Sequence, residues 1–288
     1  MSPSPKYDLI AIDVDGTLLD SQHRLPAENR RALHRAHEAG MRVVLCTGRS
    51  YPETKPVLDE IGLDLDAAVT VFGAMITDVR SGRTLSRTPM SLPVAYELTD
   101  WLLKRGFTTL WLNDAEEAGF DGYVIDGHRR HPAVDRWVQH TPCRVTCVDR
   151  LRGDVWPPVR VSIIDDPDVL ADVEPELRRT FDGRIAHNLL RAPAYDLTII
   201  ETFAPQVNKW FAVEQLCQRW EIDPRRTVAV GDDVNDVDMI REAGWGVAMA
   251  NAHPSAKSVA RQVAGKNDDA GVAGLIDELL STPGVASC

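Results

Sequence analysis

One feature constrains this chain more than any other. A short, nearly continuous apolar run ends abruptly at a polar cluster, a helix-like segment follows, and the pattern repeats. Asp8 to Ile12 runs into Asp13-Val14-Asp15-Gly16-Thr17, Arg42 to Cys46 runs into Thr47-Gly48-Arg49, and Ala67 to Phe72 closes at Gly73. Between these runs, Pro26 to Ala39 places Leu33 and Ala36 on one helical face with Gly40 as its C-cap, and Tyr51 to Ile61 reads as a second helix. Strands that lack apolar/polar alternation are buried on both faces. Strand, helix, strand, helix, strand in this order therefore predicts a parallel sheet built from βαβ units.

The same grammar returns near the C-terminus. Thr227 to Val230 is a strand ending at Gly231-Asp232-Asp233, Val234 to Ala243 a helix capped by Gly244, and Gly246 to Met249 another strand. Val259 falls in a further strand candidate and Ala270 to Leu280 in a helix candidate. The middle reads differently. Helical Leu92 to Lys104 and Val169 to Phe181 alternate with strand-like Thr108 to Leu112, Gly122 to Ile125, Val159 to Ile164 and Tyr195 to Glu201. These strands are closer to hairpin spacing, and Gly82, Pro89, Pro93 and Pro193 punctuate the segment. The expected fold is α/β: a Rossmann-like parallel sheet core of residues 1–83 and 196–288, with an inserted α+β domain over residues 84–195.

Composition narrows the function classes. At 288 residues and 44% hydrophobic, the chain is long enough for two domains and too apolar for a disordered one. No apolar run approaches the ~20 residues that span a bilayer, so no membrane partner is expected. The two aspartates at Asp8 and Asp13 interrupt any secretory signal, so a soluble, cytoplasmic protein is expected. A net charge of -11 argues against a nucleic-acid partner, because backbone phosphates need clustered Lys and Arg. Five cysteines, an odd number widely spread, predict free and mostly buried thiols. Cys143 and Cys147 have no second Cys/His pair at zinc-finger spacing.

Open parallel sheets bind ligands at the carboxyl ends of their strands, which is where the polar clusters fall. Asp13, Asp15 and Asp232 at one rim offer the oxygen ligands that Mg²⁺ prefers, with water and a substrate phosphate completing the octahedron. Without a cation, carboxylates so close repel and raise one another's pKa. An aspartate can also be a nucleophile, forming an aspartyl-phosphate. Phosphoryl transfer then needs charge stabilisation from a cation, a lysine and hydroxyl or backbone donors. Lys209, after the strand-like Tyr195 to Glu201, is the candidate lysine. Each cluster alone is equally compatible with a turn, a strand exit or an N-cap.

Asp13-Val14-Asp15-Gly16-Thr17, Thr47-Gly48-Arg49, Lys209 and Gly231-Asp232-Asp233-Val234-Asn235-Asp236 resemble, in order, the four motifs of the haloacid dehalogenase superfamily. The stretch from Gly231 to Ala252 is similar to the Cof-type hydrolases of that superfamily, whose cap domain (here of the C2B type) lies between the second and third motifs. The resemblance implies a Mg²⁺-dependent phosphatase in which Asp13 is the nucleophile and Asp15 the general acid/base. It also implies that Thr47 and Lys209 hold the phosphoryl oxygens, with Gly16, Gly48 and Asn235 at the phosphate. Mg²⁺ would take the carboxylates of Asp13 and Asp232 and the backbone carbonyl of Asp15. Asp236 would orient the lysine or the metal's surroundings, and Asp233 would either stand close behind the metal ligands or serve as a helix N-cap.

Two positions depart from the family pattern: Phe72 stands where Asn commonly precedes Gly, and Trp210 where Gly commonly follows the lysine. They bear on the substrate, not on the phosphoryl chemistry. A sugar phosphate, a nucleotide or a cofactor phosphate all fit the expectation of a small phosphorylated metabolite. Two other readings stand beside the phosphatase: a phosphomutase or phosphotransferase, and a module that binds Mg²⁺ and phosphate without turnover. Gly244-Trp245-Gly246 follows a helix and precedes a strand, the reverse of a dinucleotide fingerprint. His128 and His131 read as parts of a solvated basic loop, in which Arg129 and Arg130 could face an anion.

Overall fold

Residues 9–13 are apolar without alternation because the strand they form is fully buried. In the computed structural model, which describes residues 6–192 and 197–281, this strand lies inside the larger of two sheets. In chain order the elements are β1 (Leu9–Asp13), α1 (Ala27–Glu38), β2 (Arg42–Cys46), α2 (Tyr51–Ile61), β3 (Ala67–Thr70) and β4 (Met75–Asp78). Next come β5 (Thr84–Arg87), α3 (Leu92–Lys104), β6 (Thr109–Leu112), α4 (Ala115–Ala118), β7 (Gly122–Ile125), α5 (Pro132–His140) and β8 (Val145–Val148). They are followed by β9 (Arg160–Asp165), α6 (Pro167–Thr180), β10 (Ala186–Ala192) and β11 (Leu197–Phe203). The chain ends with α7 (Lys209–Arg219), β12 (Thr227–Gly231), α8 (Val237–Glu242), β13 (Trp245–Ala248), α9 (Pro254–Val259), β14 (Gln262–Val263) and α10 (Gly271–Ser281).

The chain divides into two units, residues 1–83 with 208–288, and residues 84–207. In the first, the strand order is β14-β13-β12-β1-β2-β3-β4. All neighbours pair in parallel except β3 and β4. The chain leaves β1 towards β2 on one side and returns later to β12 on the other, so the sheet's direction of growth reverses between β1 and β12. That is the crevice in which open α/β sheets place ligands. Helix α1 buries Asn29, Ala32, Leu33 and Ala36, the i, i+3, i+4, i+7 stripe of an amphipathic helix. Asn29 is a buried polar staple: its amide donates to the Leu18 carbonyl at 2.9 Å and accepts from Ala273 N at 2.9 Å. Helix α2 opens with a Ser50/Glu53 capping box and closes at Gly62 in the left-handed conformation.

The second unit carries a sheet of order β10-β11-β9-β6-β7-β8. All its neighbours pair antiparallel except β7 and β8. An apolar cluster that includes Leu98, Trp111, Val161, Leu177 and Ile200 involves α3 and α6. Val134 and Trp137 of α5 join a different cluster with Leu110, Val124 and Ile164.

Several expectations are corrected. The C-terminal boundary of the inserted unit falls at 207/208 rather than 195/196, because β11 pairs along its length with β10 and with β9 and cannot be separated from that sheet. The strand expected to reach Phe72 stops at Thr70, and Val71 and Phe72 both adopt positive φ in a tight turn. The helix expected from Val234 begins as a short 3₁₀ turn, Val234–Asp236, before α8. Val259 ends a helix rather than lying in a strand. Gly244 is no left-handed cap; a Cβ there would lie 1.9 Å from the Arg225 carbonyl oxygen, so a close backbone approach explains it. Helix α5 and strands β8 and β10 have no counterpart among the expected elements. Pro193, Tyr195 and Cys288 lie outside the described residues. Among the described ones, Cys46, Cys143, Cys147 and Cys217 form no disulfide, and all but Cys147 are buried. No described helix is long and apolar enough to cross a membrane.

Candidate active site

Strand β1 delivers Asp13, 5% exposed, to the sheet's C-terminal rim. The chain then makes a wide turn closed by Leu19 N donating to Val14 O at 3.0 Å. Gly16 holds φ near 80° in that turn, and a Cβ on it would lie 2.4 Å from Asp232 Oδ2. Only glycine serves there, for conformation and for space. Thr17 Oγ1 donates to Asp232 Oδ1 at 2.9 Å, Asn251 Nδ2 to the Gly16 carbonyl at 2.8 Å, and His253 N to the Asp232 carbonyl at 2.7 Å. Three loops, after β1, β12 and β13, are thus tied together around Asp232.

Lys209 enters from the first turn of α7, whose N-cap Asn208 accepts from Phe211 N at 2.8 Å. Its ammonium is fully buried, 2.6 Å from Asp13 Oδ1, 2.6 Å from Asp236 Oδ1 and 3.5 Å from Asn235 Oδ1. The other oxygen of Asp236 accepts from the backbone amides of Asp232 at 2.9 Å and Asp233 at 3.1 Å. Asp233 accepts from Val234 N at 2.7 Å and caps the short turn that carries Asn235 and Asp236. The N-cap alternative describes its geometry. Trp210, beside the lysine, is partly exposed in the first turn of α7.

The electrostatics follow from burial. Asp13 is raised well above the usual carboxylate range, first by desolvation and then by Asp236 and Asp232, against the pull of Lys209. Asp232 is pushed up to about 7 by desolvation and by Asp236. Burial works against the Lys209 ammonium, but Asp13 and Asp236 outweigh it and raise its pKa. Oxygens of Asp13, Asp232 and Asp236 all lie within 4.8 Å of one another. One ammonium faces three carboxylates, and both oxygens of Asp236 are already committed to Lys209 and to backbone amides. Asp13 and Asp232 are left as an all-oxygen pair with uncompensated charge, the donor set of a hard divalent cation.

Thr47, at the end of β2, is also buried. Its amide donates to Val69 O at 3.0 Å, its carbonyl accepts from Phe72 N at 3.0 Å, and its hydroxyl accepts from Arg49 N at 3.1 Å. Gly48 lies half-buried between them. Asp15 does not join the carboxylate cluster. Its two oxygens accept from Arg49, Nε at 2.8 Å and Nη2 at 2.5 Å, and His23 Nδ1 lies 3.6 Å away. Arg49, Thr17, His23 and Asn251 had no assigned role in the sequence reading. For Arg49 a signal existed, since it immediately follows Thr47-Gly48 on the rim that carries Asp15. Elsewhere, His131 is drawn together with Asp165 and Asp166. Its Nδ1 accepts from Ala133 N as the α5 N-cap, however, which leaves the proton on Nε2, facing Asp166, and no lone pair for a metal. Arg129 faces Asp165, while Arg130 is bound to Asp126 and Asp135.

A parallel sheet whose central strand ends in a buried aspartate, bridged by lysine to a second acidic loop, makes this an α/β protein with a carboxylate-built site at the strand ends. The chain matches the haloacid dehalogenase-like hydrolase family over residues 10–276, and it belongs to that family. It is a hydrolase of the phosphatase type. It is 30% identical over 300 residues to the 5-amino-6-(5-phospho-D-ribitylamino)uracil phosphatase YwtE of Bacillus subtilis (strain 168), covering 94% of this chain and 98% of that one. It is 28% identical to the HMP-PP phosphatase of Serratia proteamaculans (strain 568), covering 96% and 97%. Among solved structures, a haloacid dehalogenase-like hydrolase from Bacteroides thetaiotaomicron superposes with a TM-score of 0.76 at 26% identity, over 95% of this chain and all of that one.

Proposed function

We propose that the chain is a Mg²⁺-dependent phosphatase that hydrolyses small phosphorylated metabolites through an aspartyl-phosphate on Asp13. The observation that carries this reading is the buried bridge from Asp13 through Lys209 to Asp236, with Asp232 beside it. A carboxylate oxygen of Asp13 attacks phosphorus, and the bond to the leaving alcohol oxygen breaks as that oxygen takes a proton from Asp15. A water then attacks the phosphoryl group, giving its proton to Asp15, and inorganic phosphate leaves as Asp13 is restored. Lys209 and Thr47 hold phosphoryl oxygens, together with Asn235 and the backbone of Gly16 and Gly48. Asp236 keeps Lys209 charged and in place, and Asp233 holds the short turn that carries Asn235 and Asp236. Asp13, Asp232 and the Asp15 carbonyl would hold Mg²⁺, which would supply positive charge for the phosphoryl oxygens and favour the ionised form of Asp13.

The relatives' names direct the substrate search towards phosphate esters of polyols and heterocycles. Phosphate release is measured over a panel of sugar phosphates, nucleotides, pyridoxal phosphate, flavin mononucleotide and 5-amino-6-(5-phospho-D-ribitylamino)uracil, with Mg²⁺ and with chelator. Release that requires Mg²⁺ is expected, and Asp13→Asn abolishes it, a loss of at least about 10⁴-fold. Activity that survives Asp13→Asn, or no release from any ester, overturns the reading.

A further inference from the structure

We infer that Arg49 is a positioning residue for Asp15, holding its carboxylate in place for proton transfer to and from the ester oxygen. The inference rests on the role proposed for Asp15, and it concerns how that residue is held.

Asp15 needs such a partner. It lies in a wide turn with non-helical backbone angles, flanked by the left-handed Gly16, and its side chain is about 30% exposed. Nothing in its own turn fixes its carboxylate. A general acid/base works only within hydrogen-bond reach of one oxygen, so unconstrained rotation dilutes the productive arrangement. Arg49 supplies the constraint from the loop between β2 and α2, 34 residues away, with two parallel bonds of 2.8 and 2.5 Å. A planar guanidinium bound in this way sets both the position and the plane of a carboxylate.

The arginine is itself anchored. Its backbone amide donates to Thr47 Oγ1 at 3.1 Å and its carbonyl accepts from Val71 N at 2.8 Å. The next residue is Ser50, the α2 N-cap, whose amide and hydroxyl both bond Glu53 Oε2, at 2.9 and 2.6 Å. The first turn of α2, the end of β2 and the turn after β3 therefore combine to aim one side chain at Asp15. His23, at 3.6 Å from the same carboxylate, is too far to share that task.

The test compares two esters at one pH, an alkyl phosphate whose alkoxide must be protonated to leave and p-nitrophenyl phosphate, whose phenolate leaves unaided. The ratio kcat/KM covers only steps up to alcohol release, so hydrolysis of the aspartyl-phosphate does not enter it. Arg49→Ala is expected to lower kcat/KM about 100-fold on the alkyl ester and less than about threefold on the aryl ester. Inhibition by inorganic phosphate and the melting temperature should stay close to wild type. Arg49→Lys, which keeps charge but not the fork, should fall between, and it carries the test if the alanine variant does not fold. Equal losses on both esters, or weakened inhibition by phosphate, overturn the inference and make Arg49 a phosphate-binding group. If the wild-type protein hydrolyses neither ester, the phosphatase mechanism itself fails and this inference falls with it; an active wild type with an unselective Arg49→Ala loss condemns the inference alone.

Discussion

The site residues of the first unit and a group of buried side chains in the second are treated in opposite ways. In the first, Asp236 uses one oxygen for Lys209 and the other for two backbone amides, while Asp13, Asp232 and Thr47 each have at least one partner at 3.1 Å or less. In the second, the buried side-chain atoms of Thr109, Ser162, Trp111 (Nε1) and both amide atoms of Asn113 have no hydrogen-bond partner. The contrast is one of commitment. The site of the first unit has spent its polar groups on one another, which fixes a geometry in advance and makes each member hard to remove. In the second, these buried polar groups hold nothing together. Losing one of the bonded site groups of the first unit should be costly, and losing one of these unpartnered groups of the second cheap.

Lys209→Met tests the costly side. It removes the single cation from among three carboxylates and leaves a side chain of similar length. Unfolding free energy measured in urea should fall by about 3–5 kcal/mol, the usual penalty for stripping one partner from a buried ion pair. Phosphate release should disappear with it. A loss below about 1 kcal/mol would mean that the carboxylates simply take up protons, and the first unit would be no more committed than the second.

This contrast also separates what was legible in the sequence from what was not. Strands β1, β2 and β12 could be read because strands at the sheet centre are apolar throughout and stop at a polar cluster; all five residues of β1 and of β12 are buried. Strand β8, with two exposed and two half-buried residues, carries no such signature, and neither does β5, half-buried throughout. Phe72, at φ 59°, could not have been foreseen: left-handed backbone at a non-glycine residue is held by tertiary bonds, here Val71 N to Arg49 O at 2.8 Å and Phe72 N to Thr47 O at 3.0 Å. Asp13 and Asp232 were legible as strand ends. Lys209 was a candidate from its place after a strand and from the family resemblance, but its bond to Asp13 crosses 196 residues and spacing says nothing about it.

A second, intermediate effect follows from the uncompensated charge at Asp13 and Asp232. Asp232 sits near 7 in the folded chain and near the ordinary aspartate value when unfolded. The folded state thus holds a proton that the unfolded state releases. The stability from this group is fully present below the unfolded value and fades as pH rises through about 7. A divalent cation competes with that proton, so the rise in melting temperature on adding Mg²⁺ should be larger at pH 8 than at pH 6. At a hundredfold excess over Kd the gain approaches about 2.7 kcal/mol. A Mg²⁺ response that is flat from pH 6 to 8 would show that the cluster releases no proton when the cation binds.

The smallest effect belongs to the second unit. Ser162 is 1% exposed and pairs in register with Glu201 on one side and Leu110 on the other, yet its hydroxyl has no partner. Glu201 is bound to Arg160 at 2.5 Å and does not serve it. A buried hydroxyl without a partner has lost its water and gained nothing in return, so removing it to leave a methyl side chain removes a cost. Ser162→Ala should therefore leave stability unchanged or raise it, by up to about 1 kcal/mol in urea denaturation, where the same change at a satisfied position would lower it. A loss of 1 kcal/mol or more would mean that Ser162 is bonded after all, through water, and that the two units differ in visible partners without differing in commitment.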